Sequence, residues 1–455
     1  MKKHKRSTFS GKLGFVLSAA GASVGLGNIW RFPYLAAKYG GGIFLLVYII
    51  LALTFGYTLI MAETSLGRMT RKSPVGAFES FGNSRFISIG GWINAIIPIL
   101  IVPYYSVIGG WVIQYLIEYF AGHSKTLAGD AYFTTFISNG WSTEICFIIF
   151  TLFTLGIIYA GVRNGIERVS KFMMPILIVL SLIIAVYSVT RPGAIEGVKY
   201  FLVPNFDHFS WMTVVSAMGQ MFYSLSIAMG ILITFGSYMK KDTSIEKSTE
   251  NVEIFDTAIA IMAGLMIIPA VFAFSGGNAE TLKSGPALMF ITIPKVFANM
   301  GFGTAIGVVF FLLVLFAAVT SSIALTESAV STFEDELHWS RKKSTVFMGM
   351  VMLLLGTLSC LGYGPLANFK ILGMQFLDFF DFITNSVMMP IAAIATCLLV
   401  SKVVGVDKIE EEIKKDGQVF RRKKIFCFMI KYLCPLFAAI ILISSVANAF
   451  GIITM

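Results

Sequence analysis

The chain has 455 residues, of which 56% are hydrophobic and only 13% are charged. A soluble protein of this size needs more charge to cover its surface, so the composition excludes a purely soluble enzyme or binding domain. The formal net charge of +10 would favour nucleic-acid binding in a soluble protein. In this chain the positions of the basic residues indicate membrane topology instead.

Eleven apolar segments along the chain are each about long enough to cross a bilayer as a helix. They are continuous rather than alternating, which favours helices over barrel strands. Most of the basic residues lie on alternate loops, and the positive-inside rule then predicts a cytoplasmic N-terminus and an extracellular or periplasmic C-terminus in the cell membrane. The net charge therefore reflects topology, and no nucleic-acid partner is expected. The predicted spans, numbered one to eleven, are 14–36, 42–66, 88–119, 143–161, 168–189, 211–239, 254–275, 300–332, 345–363, 373–399 and 425–450.

Counted in chain order, the spans form two groups of five and one additional span, and no separate soluble domain is visible. The predicted parts are a cytoplasmic N-terminal segment 1–13, a first unit 14–189, an extracellular loop 190–210, a second unit 211–399, a cytoplasmic loop 400–424, and an eleventh helix with the C-terminus at 425–455.

Spans one and six both contain polar and flexible residues at mid-depth. Span one has a glycine-rich stretch from Gly21 to Asn28, and span six has hydroxyl residues and glycines between Ser224 and Ser237. The two spans lie five apart, so they cross the membrane in opposite directions. Helices interrupted at matching positions of two inverted halves indicate the midplane binding site of a transporter. Close helix packing through small residues, such as Gly21 and Gly25, is the alternative explanation.

Several ionisable residues fall inside or at the ends of predicted spans, among them Glu63, Asp256 and the possible pair of Arg31 with Asp381. Such groups are costly in a membrane and indicate function. Structural explanations remain open: Arg31 and Asp381 could form a purely structural ion pair, and hydroxyls such as Thr320 could bond to their own helix.

No enzymatic motif accompanies these residues. The four histidines fall in loops or at helix ends, and neither a zinc-protease motif nor a phosphate-binding loop is present. The five cysteines lie in or beside apolar runs without metal-binding spacing, which favours inert buried thiols. The sequence therefore predicts a carrier that is not an enzyme and holds no organic cofactor.

Four motifs together resemble the neurotransmitter:sodium symporter family, which has the leucine-transporter fold. The motifs are the run Gly21-Ala-Ser-Val-Gly-Leu-Gly-Asn-Ile-Trp-Arg-Phe-Pro33, Gly219-Gln-Met-Phe-Tyr-Ser-Leu-Ser226, Thr320-Ser-Ser322 and Phe333-Glu-Asp-Glu-Leu337. The resemblance covers essentially the whole chain. It implies an all-α membrane protein with a five-plus-five inverted repeat, broken helices one and six, and an extra eleventh helix, as in many bacterial members.

The resemblance implies two sodium sites beside one amino-acid site. One sodium site, named Na1 in the family, would use Ser23, Asn28, Ser224 and Asp256. The other, Na2, would use Gly21, Val24, Ala317, Thr320 and Ser321. The amino acid would contact Ala22, Leu26, Gly27, Ile101, Tyr105, Ile108, Tyr223, Ser224, Ser226, Met229, Ser322 and Leu325.

The resemblance also assigns gates and a hinge. Arg31 and Asp381 are similar to the outer gate of the family, with Tyr105 and Tyr223 as its aromatic lid. The inner gate would consist of Arg6 and Asp335, supported by Phe9 and Tyr238. In span five, Gly165 and Pro175 enclose a segment that related transporters unwind.

The implied function is the sodium-coupled import of a neutral hydrophobic or aromatic amino acid. Relatives that carry monoamines have Asp where this chain has Gly25, so the substrate is expected to bring its own carboxylate. Asp256 replaces an Asn common in the family and is hypothesised to remove the need for chloride. Ala228 replaces a common glycine, and Phe9 a common tryptophan. The alternatives are a carrier of the same fold with another coupling ion, such as a proton, and a membrane sensor that does not transport.

Overall fold

A computed structural model describes residues 6–276 and 285–452. The first five residues of the predicted cytoplasmic segment and the last three of the predicted extracellular terminus lie outside the described residues. The described chain is almost entirely helical, and its β-structure is limited to two isolated bridges.

Within the described residues, nine helices are long and apolar enough to cross a membrane. The helices Lys12–Ser23 and Gly27–Lys38 form a pair bent by 54°, which makes a tenth span if counted as one. The multi-pass α-helical architecture is thus as predicted. The nine long helices are Gly42–Thr70, Arg85–Phe120, Gly140–Tyr159, Val162–Val189, Ile245–Ser275, Gly303–Glu336, Arg341–Leu361, Phe376–Val404 and Lys423–Ala449.

The sixth predicted span is split into two helices, Trp211–Ser224 and Ile231–Tyr238, of 14 and 8 residues. Each is shorter than a bilayer crossing requires, so the predicted count of eleven spans stays a prediction. The intervening residues 225–230 leave the helical conformation, and three of them have positive φ: 52° at Ser226, 59° at Ala228 and 69° at Gly230. Left-handed backbone at two residues that carry a Cβ is uncommon.

The segments between the spans contain shorter helices, which cover the ends of the bundle. They are Pro74–Glu79, Ser124–Leu127, Tyr132–Ser138, Ala194–Leu202, Leu288–Ala298 and Val406–Ile413, with 3-10 turns at Phe206–His208 and Lys415–Gly417.

The seventh helix begins at Ile245, whereas the sequence predicted a polar segment up to residue 253. Its added turns contain acidic residues that are buried because a distant segment binds them. Glu246 accepts hydrogen bonds from the backbone N–H groups of Arg421 and Arg422, at 2.9 and 3.1 Å. A satisfied carboxylate can be buried in this way without a large penalty.

The first broken helix lies at the centre of the bundle. Its first half packs against the fifth, seventh and eighth spans, and every residue from Gly14 to Ser23 is buried. Spans four, five and eleven lie at the periphery and expose many of their large apolar side chains. The fold therefore places the polar break of span one in the interior, away from the surface that lipid would cover.

Candidate functional site

The breaks of spans one and six meet in the interior and bond to each other. The Ser226 hydroxyl donates to the carbonyl of Ala22 at 2.9 Å, and the Ser23 hydroxyl lies 3.3 Å from the carbonyl of Leu225. These bonds satisfy only part of the backbone that the breaks release, and the remaining groups face the space between the two helices. A break in hydrocarbon is tolerated where such a polar cavity exists.

Five oxygen-bearing residues predicted for the Na2 site converge beside the first break. The Ser321 hydroxyl lies 3.3 Å from the carbonyl oxygens of both Gly21 and Val24 and 3.2 Å from that of Ala22. One hydroxyl proton cannot satisfy three carbonyls, so the cluster has spare acceptors. The Thr320 hydroxyl donates back to its own helix, to the carbonyls of Phe316 at 3.0 Å and Ala317 at 3.1 Å, and its side chain lies against Gly21. A small pocket of uncharged oxygens suits a hard cation.

A second cluster surrounds the buried carboxylate of Asp256. Oδ1 accepts from the Asn28 amide at 2.8 Å and from the Ser224 hydroxyl at 2.9 Å. No lysine or arginine forms an ion pair with Asp256 in the described part of the chain. A carboxylate buried among neutral donors gains from a cation nearby, so the residues present fit the predicted Na1 site.

Two other predicted Na1 ligands, Asn28 and Ser23, lie next to this cluster in different positions. Asn28 turns its amide oxygen toward the N–H of Gly25, at 3.1 Å, while its nitrogen donates to Asp256. Ser23 lines the neighbouring cavity. The two proposed sodium ligands therefore lie next to the carboxylate, and the amide would have to turn for its oxygen to bind a cation.

Tyr48 of span two belongs to the carboxylate cluster, and the sequence analysis missed it. Its hydroxyl lies 3.0 Å from Ser224 Oγ and 3.2 Å from Asp256 Oδ2, and the side chain is fully buried. Nothing in the local sequence distinguishes Tyr48 from a packing aromatic, since only its long-range contact with Asp256 reveals the role.

A cavity of about 30 Å³ lies between the two breaks. One wall consists of peptide groups and hydroxyls, and the other consists of apolar side chains. At the polar wall, the N–H of Leu26 donates to the Tyr105 hydroxyl at 3.3 Å. Nine of the twelve residues predicted to contact substrate line it: Ala22, Leu26, Gly27, Ile101, Tyr105, Tyr223, Ser226, Met229 and Leu325.

Three predicted substrate residues lie outside this cavity. Ser224 belongs to the Asp256 cluster, and Ile108 lines the larger cavity above. Ser322 points to span four, where its hydroxyl lies 3.2 Å from that of Thr154. A hydroxyl triplet on one helix turns its members about 100° apart, so consecutive residues cannot all face one pocket.

The absence of a side chain at Gly25 keeps the cavity open between Ser321 and Tyr105. A Cβ at this position would lie 2.7 Å from Ser321 Oγ and 3.1 Å from the Tyr105 hydroxyl. Any larger residue, including the Asp of monoamine-carrying relatives, would occupy the space between the two polar groups.

A vestibule of about 370 Å³ opens above Tyr223, on the side opposite the N-terminal segment. Arg31 and Asp381 both line it but form no ion pair with each other. Instead Arg31 lies over the Tyr223 ring, 5.0 Å from its centroid, and Asp381 accepts a hydrogen bond from Tyr104 at 3.2 Å. The two residues predicted for the outer gate therefore line the same vestibule but are not in contact in this conformation.

The residues predicted for the inner gate are in contact with each other. Arg6 pairs with Asp335 at 2.6 Å and donates to Ser331 at 2.8 Å and to Ser237 at 2.9 Å. Burial by itself lowers the pKa of Arg6, but the electrostatic effects of Tyr238 and Asp335 outweigh it, so that pKa is raised and the guanidinium stays charged. The protein is thus closed near its N-terminal segment and open on the opposite side.

Phe9 and Tyr238 close the same side by packing. Phe9 is 1% exposed and its ring makes edge contacts with Phe15, Phe235 and Tyr238. The Tyr238 hydroxyl donates to Glu327 at 2.7 Å, and Glu327 also pairs with Arg341. Phe9 therefore fills an aromatic pocket at this end of the bundle.

The segment of span five that was predicted as a hinge is helical in this conformation. A π-helical turn, Val162–Glu167, leads into the helix Arg168–Val189, which contains Pro175. The N–H of Gly165 bonds to the carbonyl of Gly161 at 2.9 Å. A π-turn followed by a proline gives a helix whose first turns are weakly held.

Comparison with known proteins adds independent evidence. The model of the family described as the sodium:neurotransmitter symporter family matches residues 6–147 and 137–452. A Bacillus subtilis protein named "Uncharacterized sodium-dependent transporter YhdH" is 32% identical over all of both chains. A Haemophilus influenzae protein named "Uncharacterized sodium-dependent transporter" is 31% identical over 97% of this chain and 98% of its own. The crystal structure of MhsT in complex with L-phenylalanine superposes with a TM-score of 0.86 at 34% identity, covering 97% of this chain and 100% of that one.

Proposed function

Since the chain belongs to the sodium:neurotransmitter symporter family and is a sodium-dependent membrane transporter of the leucine-transporter fold, we propose that it imports a neutral hydrophobic or aromatic amino acid together with sodium by alternating access. The observation that carries this proposal is the cavity between the two breaks, which has polar peptide groups on one wall and apolar side chains on the other. That combination matches the two ends of such an amino acid.

The polar wall would hold the backbone groups of the amino acid. The N–H groups of Leu26 and Gly27, with the Tyr105 hydroxyl, would bind the carboxylate, and the carbonyl of Ala22 with the Ser226 hydroxyl would bind the ammonium group. A free carboxylate and ammonium bring their own charges, so neutral protein dipoles suffice to bind them. MhsT, a structural neighbour, was crystallised with L-phenylalanine, which supports an aromatic or similarly apolar substrate.

The apolar wall would select the side chain. Ile101, Met229 and Leu325 line it, and none of the lining residues is charged. A charged substrate side chain would lose its hydration there without gaining a partner. Met229 is flexible and adapts to different shapes, so we expect several apolar amino acids to compete for the site.

Two sodium ions would bind beside the substrate, one in the oxygen cluster around Ser321 and one beside Asp256. Each tenfold sodium gradient is worth about 1.4 kcal/mol. A membrane potential of about 100 mV adds about 2.3 kcal/mol per charge. Two ions would then supply roughly 7 kcal/mol, enough for about a 10⁵-fold gradient of a zwitterion.

Chloride would not be required. The carboxylate of Asp256 is fully buried beside the proposed Na1 ligands, so in its ionised form it would balance the sodium ion without a soluble anion. A carrier of this fold coupled to protons instead is the second candidate, because a buried carboxylate such as Glu63 can also carry a proton. The free Oε2 of Glu63, which has no hydrogen-bond partner among the described residues, is the observation that favours it.

The test is uptake of radiolabelled phenylalanine into proteoliposomes at fixed pH, with sodium or choline outside. We expect uptake only with sodium, unchanged when gluconate replaces chloride, and inhibited by leucine and tryptophan but not by glutamate or lysine. Uptake in choline driven by a pH gradient would support the proton-coupled carrier instead. Binding of amino acids without any uptake would support a sensor.

A further inference from the structure

We propose that Glu167 is a positioning residue that couples release of the N-terminal segment to opening of span five, so that the two events occur together. This inference rests on the proposed function, since it concerns how the inner side opens during transport. It goes beyond the gate formed by Arg6 and Asp335, because Glu167 lies on a different element and contacts neither of them.

The carboxylate of Glu167 connects the N-terminal segment with span five. The backbone N–H of Ser10 donates to Oε2 at 2.8 Å, and the Ser10 hydroxyl donates to Oε1. Lys171, one turn further along span five, donates to Oε1 at 2.6 Å and to the Ser10 hydroxyl at 3.0 Å. Glu167 is 2% exposed. We call Ser10, Glu167 and Lys171 the latch.

Two further contacts tie other elements to the latch. Lys240, in the loop that follows the second half of span six, donates to the carbonyl of Ser10 at 2.6 Å. Gly14 lies against Glu167 so closely that a Cβ would come 2.4 Å from Oε1. The carboxylate therefore occupies a space that a glycine in the first helix leaves free.

The position of Glu167 in span five explains how the latch would link the two movements. Glu167 ends the π-helical turn Val162–Glu167, within the segment that Gly165 and Pro175 enclose. If this segment unwinds, the carboxylate leaves its place beside Ser10. If the N-terminal segment departs first, Glu167 and Lys171 lose Ser10 as a partner, and a buried carboxylate loses two of its donors. Each event removes the bonds that oppose the other.

The first measurement follows the N-terminal segment. One spin label is attached at Thr8→Cys, an exposed position of the N-terminal segment, and a second at Lys342→Cys, at the inner end of span nine. The distance between the two labels reports whether the segment is docked. The partly exposed Cys427 is replaced by Ser in this background. In sodium-free buffer we expect Glu167→Gln to raise the ratio of released to docked segment about tenfold or more, because a hydrogen bond to a charged group is worth roughly that factor. Glu196→Gln, on an exposed surface helix, is the matched control and should leave the ratio unchanged.

The second measurement follows span five. Hydrogen exchange of residues 161–171 should accelerate about tenfold in Ser10→Ala, although Ser10 lies outside span five. In the double variant Ser10→Ala with Glu167→Gln, exchange of these residues should be no faster than in Glu167→Gln alone. Gly14→Ala, which displaces the carboxylate sterically, should act in the same direction if Glu167→Gln fails to fold.

Release of the segment without faster exchange in span five, or additive effects of the two substitutions, would overturn the coupling. Both readouts are independent of uptake. If the parent protein shows no sodium-driven uptake, the proposed function fails while the latch is still tested.

Discussion

At the scale of single residues, Asp256 has the strongest consequence. It is a fully buried carboxylate surrounded by Asn28, Tyr48 and Ser224, all neutral. Neutral hydrogen bonds stabilise its charge only in part, and a bound cation would complete the balance. The residue therefore controls the electrostatics of the proposed Na1 site.

We predict that Asp256→Asn reduces sodium-driven uptake at least about a hundredfold in chloride-free buffer, since removing one partner of a buried charge pair costs about 3 kcal/mol or more. Chloride should restore part of the activity by replacing the lost charge. The measurement is uptake in proteoliposomes, with the exposed Asp242→Asn as control. Unchanged uptake in Asp256→Asn would contradict the assignment of this carboxylate to a sodium site.

A larger residue at Gly25 is expected to weaken substrate binding by filling part of the cavity. Gly25→Ala should raise the substrate concentration needed for half-maximal binding about tenfold, because the new Cβ would lie 2.7 Å from Ser321 Oγ and crowding of this kind costs roughly 1–3 kcal/mol. Scintillation proximity binding of labelled phenylalanine measures it. The control is Gly156→Ala, where a Cβ meets no atom within 4 Å. Equal affinity in the two variants would mean that substrate does not bind between Ser321 and Tyr105.

The sequence predicted most residues at the site but not their directions. Asn28 and Ser224 were predicted because their motifs resemble the family, and Asp256 because it stands where the family commonly has Asn. The structure brings the three together. Tyr48 was missed because its partner lies on a distant span. Ser322 was expected in the pocket, but the helical turn directs it toward Thr154. Side-chain direction depends on helix rotation, which a single sequence does not give.

At the scale of elements, the breaks in spans one and six could be predicted, because glycine and hydroxyl residues occur at matching depths of two antiparallel spans. The start of the seventh helix could not be predicted. Glu246 and Glu253 looked like loop residues, and their burial depends on Arg422 and its neighbours, more than a hundred positions away in the chain. Partners so distant leave no local signal.

Arg68 is the most deeply buried example of such a long-range contact. Its side chain is 0% exposed and pairs with Glu412, which is 3% exposed, at 2.7 Å. Another guanidinium nitrogen donates to the Thr243 carbonyl at 2.7 Å. The pair therefore holds the short helix Val406–Ile413 against the end of span two.

We predict that Glu412→Ala destabilises the protein by about 3–5 kcal/mol, because it leaves the guanidinium of Arg68 buried and without its carboxylate. Glu411→Ala is a matched control, since Glu411 is the exposed neighbour on the same helix. Chemical denaturation in detergent measures the free energy of unfolding of both variants. Equal stability of the two would show that the pair contributes nothing net.

At the scale of the whole molecule, the structure is open at the vestibule and closed near the N-terminal segment, so this conformation has its access path on the vestibule side. The vestibule reaches Tyr223, and below it the cavity of about 30 Å³ has room for about a single water molecule. Binding an amino acid therefore requires a rearrangement of the lid or of the broken helices, which fits a carrier rather than a channel.

We predict that a cysteine at Ser328, which is fully buried beyond the inner gate, reacts slowly with a membrane-impermeant thiol reagent added on the N-terminal side. Arg6→Ala removes the pair with Asp335 and should accelerate labelling about tenfold, since a charge-assisted hydrogen bond is worth about 1.5 kcal/mol or more. Labelling rates in inside-out vesicles measure this. Rapid labelling before the Arg6 substitution would mean that the inner gate is not closed in the membrane.

Coupling between amino-acid and sodium transport can be measured directly by driving sodium uptake with a gradient of the amino acid. Proteoliposomes with equal sodium on both sides receive an inward gradient of phenylalanine and a trace of radioactive sodium, while a potassium ionophore prevents charge build-up. Sodium is expected to accumulate inside as phenylalanine enters, and Asp256→Asn should abolish this accumulation. Entry of phenylalanine with no movement of sodium would contradict this coupling.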